Sequence, residues 1–263
     1  MTLAGAIVDL DGTVYLGDTL FPGVSDAIDR LRAAGLDILF FSNNPTRGGG
    51  AYVDRLQDLG VDVQPGEACS AGDVTTQYLE RHHADDAIML VGSTGLRDQF
   101  RQAGLALATD PGETEVLVGS WTREFGYGDM LTTLRAVDAD TMFLGSDPDR
   151  TVPAEGDEIP GSGAVVGALA ATIGREPDAV LGKPSEAALE FALNRLNVPP
   201  SECLVVGDRL GTDVALGERA GMTTALVLSG VTDADEVAGS DVDPDHVLDS
   251  LADIGTVLDD HGD

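Results

Sequence analysis

The sequence predicts an α/β protein, a Rossmann-like doubly wound parallel sheet with an inserted α/β cap, and three observations carry that expectation. Apolar runs such as Ala6-Ile7-Val8, Ile38-Leu39-Phe40-Phe41 and Cys203-Leu204-Val205-Val206 show no polar alternation, the pattern of strands buried on both faces. Helix-like stretches separate the runs, as in successive βα units. Small polar clusters follow the runs, where open α/β sheets bind their ligands.

Taken in order, residues 1 to about 77 alternate the strand-like runs at 6–8 and 38–41 with helix candidates at 24–34 and 51–59. A second set of alternations passes through 87–91, 116–118 and 141–144. Gly and Pro then thicken from Pro148 to Gly163, a loop signal, ahead of a small-residue helix candidate at 164–172. From about residue 180 the strand and helix alternation returns. Residues 1–77 and 180–263 thus read as two parts of one core, with 78–179 inserted as a cap. At 263 residues the chain is long enough for two modest domains.

Composition bounds the setting. The chain has 46 Asp plus Glu against 15 Lys plus Arg, a formal charge of -31. Such a surface disfavours nucleic acid and anionic membrane as partners. Aspartate outnumbers glutamate, 33 to 13, and the acids are scattered rather than gathered in a tail, which reads as the surface of a halophile's protein. With 43% hydrophobic residues in regular patterns, the chain is expected to fold around a core. Cys69 and Cys203 suggest buried packing in a reducing compartment. No leader or membrane span is evident, and a cytoplasmic protein is expected.

Chemistry concentrates at Asp9-Leu10-Asp11-Gly12-Thr13, directly after the first apolar run. Two carboxylates two residues apart on an extended chain address one substrate atom from one side. One carboxylate can attack phosphorus while the other exchanges a proton with the leaving oxygen and then with water, and Asp9 and Asp11 suit these two tasks. Three more clusters follow apolar runs: Ser42-Asn43-Asn44, Gly182-Lys183-Pro184 and Gly207-Asp208-Arg209-Leu210-Gly211-Thr212-Asp213. Among the 15 basic residues 14 are arginine, so Lys183 is the only lysine. A chain that dispenses with lysine elsewhere and keeps one in a motif points to a use for a compact ammonium beside phosphoryl oxygens.

These four motifs, in this order, resemble those of haloacid dehalogenase-type phosphatases. Asp9 through Tyr15, Pro22-Gly23, Ser42 through Thr46, Pro160 through Ala164, and the last two motifs are similar to the NagD-like and para-nitrophenyl-phosphatase branch, the class IIA hydrolases. The resemblance implies that Asp9 is the nucleophile and Asp11 the acid/base. It implies that Ser42 and Asn43 hydrogen-bond the phosphoryl group, with Gly12, Thr13 and Asn44 in the same binding loops, and that Lys183 steadies its charge. Asp208, with Asp9 and the main-chain carbonyl of Asp11, would hold Mg²⁺, with Asp213 supporting that metal site. Two departures lie in the insertion: Trp121 stands where relatives often have aspartate, as packing or as a substrate contact, and Ser146-Asp147 stands where they often have Thr-Asn.

Three further features invite less. His82-His83 lacks metal-ligand spacing, Gly48-Gly49-Gly50 reads as a helix lead-in rather than a phosphate loop, and the acidic end from Asp259 to Asp263 reads as a frayed terminus. The expected activity is Mg²⁺-dependent hydrolysis of a small soluble phosphate ester: a sugar, glycerol, nucleotide or glycolate phosphate. A phosphomutase or an idle binding module of the same fold are the alternatives, and a homo-oligomer is compatible with either.

Overall fold

The computed structural model describes residues 2–154 and 157–261. Strand β1 (Gly5–Val8) leads through a small hairpin, β2 (Tyr15–Leu16) and β3 (Thr19–Leu20), to α1 (Val24–Ala33). Then come β4 (Asp37–Ser42), α2 (Gly49–Asp58), β5 (Ala68–Ser70) and α3 (Ala71–His82). The middle of the chain forms β6 (Ile88–Val91), α4 (Thr94–Gln102), β7 (Val116–Gly119), α5 (Tyr127–Ala136) and β8 (Met142–Gly145). It continues with β9 (Thr151–Ala154), β10 (Asp157–Pro160), α6 (Ser162–Ile173) and β11 (Ala179–Val180). The last part supplies α7 (Glu186–Leu196), β12 (Cys203–Gly207), α8 (Ala215–Ala220), β13 (Thr223–Val227), α9 (Ala234–Gly239), β14 (His246–Leu248) and α10 (Gly255–Asp260).

Six strands form one sheet in the order β14-β13-β12-β1-β4-β5, every neighbouring pair parallel. The order runs outward from β1 in both directions, so the crevice beyond β1 and β12 is the switch point where such sheets bind ligands. Val8 pairs with Phe40 on one side and Val206 on the other, which sets the ends of β1, β4 and β12 level. Three of the four sequence motifs leave the sheet at that edge.

A second parallel sheet, β11-β8-β7-β6, is built from the middle of the chain. The expected boundary at residue 77 falls inside α3, and Ala179–Val180 forms the edge strand of this second sheet. Within the Gly- and Pro-rich stretch read as loop, β9 and β10 form an antiparallel hairpin. Pro153 and Pro160 obscured it, since proline is a poor strand residue but is tolerated in a two-stranded ribbon with open edges. The helix candidates lie within one to two residues of the observed α1, α2 and α6. Asp259 and Asp260 are not frayed but close α10, while Gly262 and Asp263 of the expected acidic tail lie outside the described residues.

Side chains of β1 alternate in destination, as a pleated strand requires. Ala6 and Val8 join a core on one face of the large sheet with Phe40, Tyr52 and Leu56 from β4 and α2. Ile7 points to the other face, into a core shared by Phe41 and Val205 of the large sheet, Leu90, Val118 and Leu144 of the small one, and Phe191 of α7. Capping sets the helix starts locally. Ser70 accepts from Gly72 N and Asp73 N, and Asp73 bonds back to Ser70 N, a reciprocal box at the start of α3.

Candidate active site

Asp9 and Asp11 emerge from β1 and both line one narrow cavity of about 30 Å³. Its floor comes from Ser42, Asn43 and Asn44 after β4, its side from Arg209 and Thr212 after β12. Its roof is Trp121, Asp147, Asp149, Ser162 and the strand β9. Gly12 turns the chain with φ +90°, and a Cβ there would overlap the Asp208 carboxylate, so only glycine serves. Thr13 is fully buried beneath the loop and does not line the cavity.

Lys183 lies under Asp9, 1% exposed. Its Nζ donates to Asp9 Oδ1 at 2.6 Å, Asp213 Oδ1 at 2.6 Å and the Phe41 carbonyl at 2.7 Å, which uses all three ammonium donors. Asn43 clamps this loop from across the sheet: its Oδ1 accepts from Lys183 N at 2.8 Å and its Nδ2 donates to the Lys183 carbonyl at 3.1 Å. Gly182 permits the crossing, since a Cβ there would meet Asp147 Cβ at 2.7 Å and Asn43 Oδ1 at 2.8 Å. Ser42 Oγ accepts from Asn44 N, and Asn44 Oδ1 accepts from Thr46 N and Thr46 Oγ1, so Asn44 shapes the turn as well as lining the cavity.

Carboxylate oxygens of Asp9, Asp208 and Asp213 lie within 4.8 Å of one another. Asp208 Oδ2 accepts from Val231 N at 2.8 Å, while Asp208 Oδ1 is buried without a partner. Three carboxylates share one ammonium, so their full ionisation would leave an excess of negative charge. A hard divalent cation with oxygen ligands fits both the excess and the orphaned oxygen. Asp213 contributes differently from Asp208, because one oxygen is engaged by Lys183 and the other by Arg209 N at 3.2 Å. The Asp11 side chain is not in this cluster.

Burial, reinforced by the neighbouring acids, raises the Asp9 carboxyl well above its usual range despite Lys183, and it pushes Asp208 up to about 7. Burial would depress Lys183, yet Asp213 and Asp9 beside it hold its ammonium well above the ordinary value. Burial likewise pushes Asp11 up to about 6, with the cations Arg55, Lys183, Arg209 and Arg47 opposing it. A carboxyl tuned there can hold a proton and release it near neutrality.

Asp147 and Asp149, which the motif reading did not assign, close the roof. Asp147 is 2% exposed; burial, with Asp149 beside it, pushes its carboxyl up to about 8. Ser146 Oγ donates to Asp147 Oδ2 at 2.9 Å and contacts Ser120 Oγ at the same distance. Arg209 crosses from the large sheet to donate to the Thr151 carbonyl at 2.9 Å. The Asp-Pro-Asp run after a strand was the available signal, parallel to Asp9-Leu10-Asp11 after β1. Trp121 lines the cavity, and its Nε1 donates to the Pro160 carbonyl at 3.0 Å.

The haloacid dehalogenase-like hydrolase family matches residues 6–106, and a HAD-hydrolase-like family matches residues 180–254. The sugar-phosphatase AraL of Bacillus subtilis is 31% identical over 95% of this chain and 92% of its own length. The p-nitrophenyl phosphatase structure from Archaeoglobus fulgidus superposes with a TM-score of 0.90 at 35% identity, covering 98% of this chain and 100% of that one. NagD from E. coli K-12 superposes with a TM-score of 0.86 at 27% identity, covering 97% and 99%. With the two-aspartate loop, the buried lysine and the acidic cluster at one sheet edge, the chain belongs to the haloacid dehalogenase-like hydrolases, in their NagD-like class IIA branch.

Proposed function

We propose that this phosphatase hydrolyses a small soluble phosphate monoester in two steps through an aspartyl-phosphate on Asp9, with Mg²⁺ as its cofactor. The observation that carries this reading is that Asp9 and Asp11 open onto one cavity while Lys183 fixes the far side of Asp9. In the first step an Asp9 carboxylate oxygen attacks phosphorus, the bond from phosphorus to the ester oxygen breaks, and the Asp11 carboxyl gives its proton to that oxygen. In the second, Asp11 takes a proton from water, the hydroxide adds to phosphorus, and the acyl phosphate bond breaks to release phosphate and restore Asp9. Lys183 holds Asp9 in line through its Oδ1, and Ser42 and Asn43 offer hydrogen bonds to the phosphoryl oxygens.

Asp9 and Asp208, with the Asp11 main-chain carbonyl, would hold Mg²⁺, and Asp213 supports the arrangement through Lys183. When bound, the ion offsets the repulsion between an anionic phosphate and the attacking carboxylate. The small sheet and its helices act as the cap, inserted after α3 and ending with β11, over a core built from the chain on either side. The substrate in this reading is a small ester: a sugar, glycerol, nucleotide or glycolate phosphate. A cytoplasmic location is consistent with the absence, among the described residues, of any helix long and apolar enough to cross a membrane. Rapid quenching with radiolabelled substrate is the test. Label is expected on Asp9, and Asp9→Asn should abolish it. Asp11→Asn should slow turnover by about 10²- to 10⁴-fold. A stable adduct on any other residue would overturn the mechanism.

A further inference from the structure

Three cavities meet at Asp11 and Asn44. The first is the narrow one described above. The second, about 410 Å³, is walled by Asp18, Arg123 and Trp121. The third, about 160 Å³, is walled by Arg47, Arg55, Tyr15 and Tyr52, and shares Asp11, Asn44 and Thr46 with the second. Acids outnumber bases 46 to 15 in this chain, and the third cavity reverses that balance. Two arginines face it, and Asp11 is its one carboxylate among the described residues. Asp18 faces the second cavity instead, where it offsets Arg123.

Each arginine is placed by its own element. The Arg55 guanidinium, from α2, lies 4.6 Å from the centre of the Tyr15 ring, pairs with Asp18 at 3.2 Å and donates to the Gly17 carbonyl, so it ties α2 to the β2–β3 turn. The Asp18 side chain is 93% exposed, and water screens that pair. Arg47 sits in the loop between β4 and α2, whose backbone is held on both sides. Tyr52 Oη donates to the Asn44 carbonyl at 3.1 Å, and Gly49 N donates to Asp73 Oδ2 at 2.8 Å. The Arg47 side chain is exposed and enters no ion pair among the described residues. A guanidinium left uncommitted on a fixed backbone is arranged to receive a ligand's oxygens at little ordering cost. Both arginines also act on the Asp11 carboxyl.

In the two-step reading above, on which this inference rests, Asp11 gives its proton to the ester oxygen. The departing alcohol then lies on the Asp11 side, towards the second and third cavities. We propose that the third cavity holds a second anionic group, a carboxylate or a phosphate, carried by that alcohol, with Arg47 as its main partner and Arg55 beside it. A guanidinium meets such a group through paired N–H donors, a geometry that a lone ammonium lacks. The subsite selects phosphorylated hydroxy acids or bisphosphates over neutral sugar and glycerol esters.

Matched pairs of esters test it, hydrolysed by the full chain with Mg²⁺ in molar KCl. Glycolate phosphate against ethylene glycol monophosphate probes a carboxylate, and propanediol bisphosphate against propanediol monophosphate probes a phosphate. A formal charge of -31 repels the more anionic ester of each pair, so a preference for it reports a local cation. The parent kcat/KM should favour the anionic ester about 10-fold or more in at least one pair, and that pair names the anion. Arg47→Gln should remove most of this ratio, chiefly through KM, because the anion is held alike in the ground and transition states. Arg101→Gln, the same change of charge on the exposed side of α4, should keep it. A parent with no preference in either pair, a preference that survives Arg47→Gln, or one that Arg101→Gln lowers equally would each overturn the subsite. Those results leave the label on Asp9 in place, whereas failure of the two-step reading is the loss of that label.

Discussion

Replacing Lys183 by methionine keeps the length of the side chain and removes the one charge between Asp9 and Asp213. Both carboxylates then remain buried, with relative exposures of 8% and 2%, and the Phe41 carbonyl loses its donor. Removing one partner of a buried ion pair costs about 3–5 kcal/mol. Here one ammonium serves two acids at 2.6 Å each, which places the loss at the upper end, about 5 kcal/mol. Against a total stability of roughly 5–15 kcal/mol this is a large share. At about 2–4 °C per kcal/mol for a chain of this size, the melting temperature should fall by ~10–20 °C. Circular dichroism through a thermal ramp in molar KCl reads it directly. Adding Asp213→Asn to Lys183→Met should restore part of the loss, because one unpaired charge is gone. The pairing holds Lys183 above its ordinary value, so its contribution is complete below about 10.4 and fades only as pH rises through the folded value. The gap between parent and variant should therefore narrow on the strongly alkaline side. A melting temperature within ~2 °C of the parent would refute the reasoning, since the ammonium would then not be the counter-charge of either acid.

Asp147 gives a second pH test: its carboxyl sits at about 8 in the fold and near 3.9 when unfolded, so the native chain keeps a proton that the unfolded chain releases. Stability should fall as pH rises from about 4 to about 8 and then level off, and Asp147→Asn should gain on the parent across that window; identical melting profiles against pH would refute it. Trp121→Ala should reorder kcat/KM across a panel of phosphate esters, because the ring lines the cavity that holds Asp9 and Asp11; an unchanged order would leave Trp121 a packing residue. The formal charge of -31 implies that folding needs screening, so the far-ultraviolet spectrum should collapse as KCl is lowered from molar to ~10 mM, and a spectrum indifferent to salt would contradict the halophilic reading.

Much of the site could be read before any coordinates because its parts sit at strand ends, where a local pattern marks both the strand and its polar terminus. Asp9, Ser42 and Asp208 each follow an unbroken apolar run, and the parallel register of β1 with β4 and β12 places those runs level. The use of Asp213 was less legible: that it serves Lys183 depends on a contact between residues 30 apart. The roof was harder still. Asp147 and Asp149 reach the cavity only because β8 and the large sheet face each other, which no local period encodes. The hairpin of β9 and β10 was hidden by its prolines.

The core that holds Ile7, Phe41 and Val205 also holds Leu90, Val118 and Leu144, so the two sheets share one apolar interior. An inserted segment of this kind is not a separate body on a string. Lifting it away whole would expose that shared interior to water. Heat or denaturant should then see a single cooperative unit, and residues 1–77 joined directly to 180–263 would lack nine of the 23 buried side chains of that common core. The interruption in the chain's covalent order is thus not an interruption in its thermodynamics.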